Sequence, residues 1–301
     1  MPVPQYIQHM TFDPNAKIDS GKVSKRGRGV AIGGGSAVVV LGLFLLSQLT
    51  GVDLTGLVGG GTGGSDSSQD QTVACETGAD ANASTDCLIT GAATSLDVYW
   101  TDATAQVGAE YRAPGDIILF EQSTNTGCGQ ATSAVGPFYC PPDEQIYLDT
   151  GFFDELRTQF GASGGTLSQM YVIAHEWGHH IQNLTGVLAS ENSGDTGPAS
   201  ASVRTELQAD CYAGSWVGAA STIADADGTT FLEPVTDAQI ADALNAASVI
   251  GDDRIQEKSS GQVNPEAWTH GSSESRQKWF STGLAGGPTA CDTFGVDASQ
   301  L

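Results

Sequence analysis

The chain has 301 residues and a formal net charge of −23, with 35 Asp and Glu residues against 12 Lys and Arg residues. Its length suits one domain of moderate size with appended segments. So acidic a chain repels the phosphate backbone, which excludes nucleic acid as an expected partner.

The first 74 residues predict attachment to a membrane. The uncharged run GVAIGGGSAVVVLGLFLLSQLT spans 29–50 and is about as long as the apolar stretch that crosses a bilayer. Basic residues cluster before this run, and such clusters favour the cytoplasmic side. We therefore expect a cytoplasmic tail over 1–28, a single transmembrane anchor over 29–50 and a Gly/Ser-rich linker over 51–74. The domain of residues 75–301 would then be extracytoplasmic, in a single-pass protein of the cell membrane.

The six cysteines all follow the apolar run. An even number of cysteines outside a membrane indicates disulfides, and the absence of a Cys-x-x-Cys pair disfavours a zinc site built on cysteines. The spacings leave the connectivity open. Our prediction is the sequential pairing, Cys75–Cys87, Cys128–Cys140 and Cys211–Cys291.

The predicted elements after Cys75 begin with a helix over 87–108. Strands follow over 116–121 and 144–149, since both stretches are short, rich in β-forming residues and bounded by Gly or Pro. The later helices are expected over 150–161, 167–184, 202–224, 236–256 and 272–284. Strands that precede most of the helices indicate an α+β domain, with a small N-terminal sheet followed by a helical bundle.

The helix over 167–184 contains YVIAHEWGHHIQNLTG, with three of the five histidines of the chain. His175 and His179 lie one helical turn apart and therefore share a face, so both imidazoles can bind one Zn²⁺ ion. Glu176 flanks that face, where its carboxylate can act as general base toward a water that the metal activates. His180 lies on the apolar side, and we interpret it as a hydrogen-bonded core histidine rather than a ligand.

A second predicted helix offers the third ligand. Within TELQAD (205–210), Glu206 and Asp210 are four residues apart and share a face. Glu206 would complete a His₂Glu zinc site that keeps an open position. Asp210 would accept the outer N–H of a ligand histidine and fix its tautomer. The apolar residues around them indicate a mostly buried helix, where carboxylates need partners such as these.

These runs together resemble the bacterial family of putative neutral zinc metallopeptidases. The resemblance covers about residues 88–294 and rests on TGCGQATSAVGPFYCPPDEQIYLDTGFFDELRTQFG, VIAHEWGHHIQNLTG, SVRTELQADCYAGSW, ALNAASVIGDDRIQ and THGSSESRQKWFSTG. It implies a zincin-like metallopeptidase domain, with His175, His179 and Glu206 as zinc ligands and Glu176 as the base. It also implies a peptide or protein as the substrate.

The sequence offers several candidates for the hydrogen-bond donor that would stabilise the oxyanion in a peptidase. His270, in WTHGSS, precedes a helix and is our candidate, although a surface histidine fits the same pattern. The alternatives are Tyr139, Tyr147 and Tyr212. In related zinc peptidases an edge strand pairs with the extended substrate, which makes the strand over 144–149 the expected substrate strand. The loop over 185–201 fits either a lid or an inert surface loop.

Two other functions are compatible with these residues. A non-catalytic, zinc-stabilised binding or scaffold protein of the cell envelope would keep His175, His179 and Glu206 but would not need Glu176. A zinc amidase that cleaves a cell-wall bond would use the same ligands and base. Because Glu176 is present, we favour a membrane-anchored zinc metallopeptidase; the sequence does not determine its oligomeric state.

Overall fold

A five-stranded sheet packed against helices forms the part of the chain that the computed structural model describes, residues 11–26, 71–190 and 194–301. Its strands are β1 (Val23–Lys25), β2 (Gln71–Thr72), β3 (Ile117–Phe120), β4 (Ser123–Thr126), β5 (Gly129–Thr132), β6 (Phe138–Cys140) and β7 (Gln145–Asp149). Strands β4 and β5 form a separate antiparallel hairpin. The predicted α+β class is confirmed.

The longer helices in these ranges are α1 (Thr85–Ala103), α2 (Thr166–Leu184), α3 (Ala201–Ala219), α4 (Asp237–Val249), α5 (Asp252–Ser260) and α6 (Ser273–Gly286). One-turn helices lie at Gly78–Ala81, Phe152–Glu155 and Val187–Ser190. Ser84, Ser200 and Ser272 cap α1, α3 and α6, since each side chain accepts a hydrogen bond from the backbone N–H three residues later. Local sequence therefore sets where these three helices begin.

The sheet has the order β2-β1-β3-β7-β6. Strands β1, β3 and β7 run parallel, whereas the outer strands β2 and β6 pair antiparallel with their neighbours. All four residues of β3 are buried, as expected for a strand with both faces covered. Strand β7 pairs on both sides, so the expectation that 144–149 lies at the edge of the sheet is wrong. The edge strand beside it is β6.

Glycines let the long helices approach one another closely. A Cβ atom at Gly178 of α2 would lie 3.0 Å from the Cα atom of Ala209 in α3. A Cβ atom at Gly283 of α6 would overlap the carbonyl oxygen of Cys211 in α3. Helix α3 is therefore held between α2 and α6, and polar side chains of all three helices can meet.

The prediction of a single-pass membrane protein with a cytoplasmic N-terminus is wrong. Phe12 and Val23 are fully buried in the core, and β1 lies between β2 and β3. One membrane crossing between residues 26 and 71 would separate β1 from the strands with which it pairs. Within the described ranges, no helix combines the length and apolar character needed to cross a bilayer. The predicted anchor, 29–50, lies outside those ranges.

The basic residues before the apolar run have another role in the structure. The ammonium group of Lys22 lies 2.8 Å from a carboxylate oxygen of Asp97, and that of Lys25 lies 3.0 Å from one of Asp86. Both acidic residues belong to α1. A cluster that resembles a topology signal in the sequence therefore forms ion pairs between the N-terminal segment and the domain.

The helix predicted over 236–256 is two helices, α4 and α5. Thr236 caps α4 as expected and forms a reciprocal capping box with Gln239. The backbone at Gly251 is extended, and a Cβ atom there would lie 2.5 Å from the backbone nitrogen of Ser273. The chain therefore bends where it passes the start of α6.

The three predicted disulfides, Cys75–Cys87, Cys128–Cys140 and Cys211–Cys291, are all present. The last joins α3 to the C-terminal segment across 80 residues of sequence.

Candidate metal centre

His175 and His179 of α2 face Glu206 of α3, and one ligand atom from each of the three lies within 4.8 Å of the others. Nε2 of His175 is 3.1 Å from Oε2 of Glu206, and Nε2 of His179 is 3.6 Å from Oε1. The one-turn spacing on α2 and the close approach at Gly178 produce this arrangement. The structure thus brings the three predicted zinc ligands together.

The outer nitrogen of each histidine fixes its tautomer. Nδ1 of His175 lies 2.8 Å from Oδ1 of Asp210, and Nδ1 of His179 lies 2.8 Å from Oε1 of Gln182. Both partners are oxygen acceptors, so each Nδ1 carries the hydrogen and each Nε2 is left with a lone pair. When both rings are neutral, two lone pairs and the Glu206 carboxylate converge without a donor among them. This donor set fits Zn²⁺ with an open position.

The ring of His175 can bind a proton where it would otherwise bind a metal ion. Burial lowers the pKa of His175, but Asp210 and Glu206 outweigh burial and raise the pKa to about 10. The imidazolium form would donate from Nε2 to Glu206. A metal ion at this site would therefore compete with a proton.

Asp210, whose side chain is 0 % exposed, connects three helices. Nε of Arg276 in α6 donates to Oδ2 of Asp210 at 2.8 Å, and Nη2 donates to Oδ1 at 3.0 Å. The hydroxyl of Tyr171 in α2 also donates to this carboxylate. Burial raises the pKa of Asp210, but Arg276 and His175 outweigh burial and lower it below the usual range.

Glu176 lies in the same cavity as the three ligand residues. The cavity has a volume of about 500 Å³. Glu176 is 7 % exposed, and burial raises the pKa of its carboxyl group. His179, His175 and a hydrogen bond from the backbone of Tyr139 oppose that increase. The side chain is therefore a buried carboxylate in the cavity that the three candidate ligands line.

His270 also borders this cavity, on the loop before α6. Oδ2 of Asp252 accepts hydrogen bonds from three successive backbone N–H groups, of residues 269, 270 and 271, at 2.7–2.9 Å. Oδ1 of Asp252 lies 3.3 Å from Nδ1 of His270. The hydroxyl oxygen of Thr269 lies nearer to the same Nδ1, at 2.9 Å. Burial lowers the pKa of His270, but Asp252 and Glu206 outweigh burial and raise it. Asp252 thus fixes the loop, and Asp252 and Thr269 together orient the ring.

The other proposed oxyanion donors do not face the metal ligands. The hydroxyl of Tyr139 is hydrogen-bonded to His180 and Asn183, and that of Tyr147 donates to Asp143. Tyr212 packs against Trp100, away from the cavity.

His180 is buried, as its place on the apolar side of α2 predicts. Its Nε2–H donates to the carbonyl oxygen of Arg112 at 2.8 Å, and Nδ1 accepts from the hydroxyl of Tyr139 at 3.0 Å. Burial lowers the pKa of His180. The interpretation of His180 as a hydrogen-bonded core histidine is confirmed.

Sequence reasoning missed three polar residues around the site, Gln182, Asp252 and Arg276. Gln182 lies one turn after His179, and this i, i+3 spacing was a usable signal. Arg276 stands in the polar run SSESRQ, where nothing distinguishes it from an exposed charge on a helix surface. Nothing in the local sequence indicates that Asp252 holds the loop of His270, because that contact depends on the bend between α4 and α5.

Comparison with known proteins places the whole domain in one family. The family model for putative neutral zinc metallopeptidases matches residues 13–294. The uncharacterised protein Rv2575 of Mycobacterium tuberculosis is 51 % identical over 222 residues, which cover 73 % of this chain and 74 % of that protein. The uncharacterised protein YpfJ of Escherichia coli K12 is 38 % identical over 285 residues, covering 92 % and 93 %. No solved structure matches the chain significantly. The chain belongs to the putative neutral zinc metallopeptidase family.

Proposed function

We propose that this protein is a zinc-dependent metallopeptidase in which His175, His179 and Glu206 hold the metal and Glu176 is the general base. The convergence of three acceptor groups beside a buried carboxylate, within one cavity, carries this proposal. Zinc bound there would act as a Lewis acid that acidifies a water and polarises the scissile carbonyl.

Glu176 takes a proton from the attacking water and later delivers it to the nitrogen of the leaving amine. A general base works best when its pKa approaches the working pH. Burial raises the pKa of Glu176 in that direction. The flanking position of Glu176 on α2 keeps it beside the ligands without making it one of them.

His270 is the donor that we assign to the developing oxyanion. Preorganised donors aimed at that oxygen often contribute the largest electrostatic share of catalysis. Thr269 and Asp252 hold Nδ1 of the His270 ring, and Nε2 has no hydrogen-bond partner among the described residues. The raised pKa favours the protonated ring, which can donate from Nε2.

An extended peptide suits the shape and lining of the cavity. Strand β6 lies at the sheet edge, and its residues Phe138 and Tyr139 border the cavity. An edge strand can bind a peptide through its backbone, as in β-augmentation. Phe152, Phe160 and Ile255 add apolar surface to the cavity wall, which suits an uncharged side chain near the scissile bond.

Replacing Glu176 tests the role of the base. We expect Glu176→Gln to keep stoichiometric zinc and to lower cleavage of a peptide library by about 10²–10⁴-fold, because proton transfer is lost while the ligands remain. Glu257→Gln, an exposed carboxylate of α5, is the matched control and should cleave as wild type does. A chelator should abolish cleavage in the wild type, and added zinc should restore it. All assays omit reductant because the chain contains three disulfides.

Equal cleavage by wild type and Glu176→Gln would contradict the assignment of the base. A peptidoglycan preparation digested in parallel separates the other two functions. Cleavage of peptidoglycan alone would indicate an amidase. A zinc-loaded wild type that cleaves neither substrate would indicate a binding or scaffold protein.

A further inference from the structure

The two ligand histidines are supported by groups of different chemistry. His175 donates to the carboxylate of Asp210, which is paired with Arg276. His179 donates instead to the neutral amide oxygen of Gln182, at 2.8 Å. Gln182 is 0 % exposed, so bulk water cannot take its place.

The orientation of the Gln182 amide is set by its nitrogen. Nε2 donates to the carbonyl oxygen of Thr205 at 2.7 Å and to Oε1 of Gln208 at 3.1 Å. Both partners accept only through oxygen, so a flipped amide would face two acceptors with its own oxygen. The oxygen end of Gln182 must therefore face His179.

Gln208 is oriented in turn by the C-terminal segment. Its Nε2 donates to the carbonyl oxygen of Cys291 at 3.0 Å. Cys291 is bound by a disulfide to Cys211, which lies one turn after Gln208 on α3. The hydroxyl of Thr293 also donates to the carbonyl oxygen of Arg204, at 2.8 Å. The C-terminal segment around Cys291 is thus attached to α3 at two points, by the disulfide and by the hydrogen bond of Thr293.

These contacts form one directed series of hydrogen bonds, from His179 to Gln182, then to Gln208 and to the carbonyl of Cys291. Every donor points the same way, and aligned hydrogen bonds polarise one another. Polarisation makes the Gln182 oxygen a better acceptor, which strengthens the hydrogen bond that orients the His179 ring.

We propose that Gln182 is a positioning residue that holds His179 in its Nδ1–H tautomer, and that Gln208 and the disulfide-anchored Cys291 carbonyl set the orientation of Gln182. This inference rests on the proposed zinc site but not on peptide cleavage. It gives the Cys211–Cys291 disulfide a role in metal binding as well as in stability.

Zinc affinity of the full-length chain, measured by competition with a chromogenic chelator, tests the proposal. Gln182→Met removes the acceptor at similar volume and should weaken zinc binding by about 10- to 100-fold. Gln208→Met leaves the acceptor in place but removes its support, so a smaller loss is expected. Gln169→Met, on the same helix but without contact to a ligand histidine, should bind zinc as tightly as wild type.

The tautomer itself is read from ¹⁵N spectra of the histidine rings in the zinc-loaded protein. In wild type, Nδ1 of both His175 and His179 should carry a slowly exchanging proton. In Gln182→Met the His179 signal should broaden or disappear, while the His175 signal stays, which a general loss of structure would not produce.

Two results would overturn the inference. One is wild-type zinc affinity in Gln182→Met. The other, which needs no variant, is a His179 ring that carries its proton on Nε2 in the zinc-loaded wild type. A chain that binds zinc as expected but cleaves no peptide would refute the proposed function and leave this inference standing.

Discussion

At the scale of single residues, Asp210 contributes both to the candidate metal site and to the packing of the helices. Its carboxylate receives hydrogen bonds from His175 and Tyr171 of α2 and from Arg276 of α6. Arg276 is only 2 % exposed, so water cannot replace the carboxylate of Asp210 beside its positive charge. The charge on Asp210 therefore stabilises the packing of three helices and orients the proposed metal ligand His175.

Asp210→Asn should affect both properties. The substitution keeps the size of the side chain but leaves a buried guanidinium without a counter-charge, which costs about 3–5 kcal/mol of unfolding free energy. Zinc affinity should fall by about 10- to 100-fold, because Nδ1 of His175 loses its charged acceptor. Urea unfolding and chelator competition measure the two effects.

Asp102→Asn, at an exposed position of α1, is the matched control and should change neither quantity. Loss of stability in Asp210→Asn with unchanged zinc affinity would mean that Asp210 supports only the fold.

At the scale of elements, α3 and α6 are in close contact because each helix has a glycine where it meets the other. A Cβ atom at Gly214 would overlap the carbonyl oxygen of Phe280, and one at Gly283 would overlap that of Cys211. Backbone atoms cannot move aside as a flexible side chain can. The contact therefore requires glycine at both positions, and it brings Arg276 within reach of Asp210.

Gly283→Ala should separate α6 from α3. Overpacking of this kind costs about 1–3 kcal/mol of unfolding free energy, and contact with backbone favours the upper end. Ser281→Ala, exposed on the same helix, should change stability by less than about 0.5 kcal/mol. Denaturant unfolding compares the two variants, and equal stabilities would show that the helices can move apart without cost.

Periodicity located most of the long helices and the candidate zinc ligands because these features are local. The spacing of His175 and His179 and that of Glu206 and Asp210 follow from helical geometry alone. Strands β1, β2 and β6, by contrast, have only two or three residues, too few to show a period. Their place in the sheet, and the contacts of Gln182 with Gln208 and Cys291, depend on distant parts of the chain.

At the scale of the whole molecule, the N-terminal segment is an integral part of the domain. Val23 of β1 pairs with Ile117 of β3, and the backbone N–H of Val73 donates to the carbonyl oxygen of Val23 at 3.0 Å. Phe12 contacts the core near Gly91 of α1. The first strand of the chain is therefore needed to cover one side of β3.

Val23→Asp tests this role. A carboxylate at a fully buried apolar position has no partner, and we expect a loss of several kcal/mol or failure to fold. Lys25→Gln, two residues further along β1, removes a half-exposed ion pair and should cost less than about 1 kcal/mol. Thermal unfolding of both variants provides the comparison, and a stable Val23→Asp protein would show that β1 is dispensable.

The position of Cys291 also has a consequence for the order of events during synthesis. The proposed zinc ligands and Glu176 leave the ribosome well before the residues that support them, Arg276 and Cys291. A nascent chain that ends before residue 291 can form neither the Cys211–Cys291 disulfide nor the last hydrogen bond to Gln208. The candidate metal site therefore reaches its final geometry only after residue 291 has been synthesised. An enzyme of the proposed kind, matured in this order, would have little opportunity to cleave its own unfinished chain.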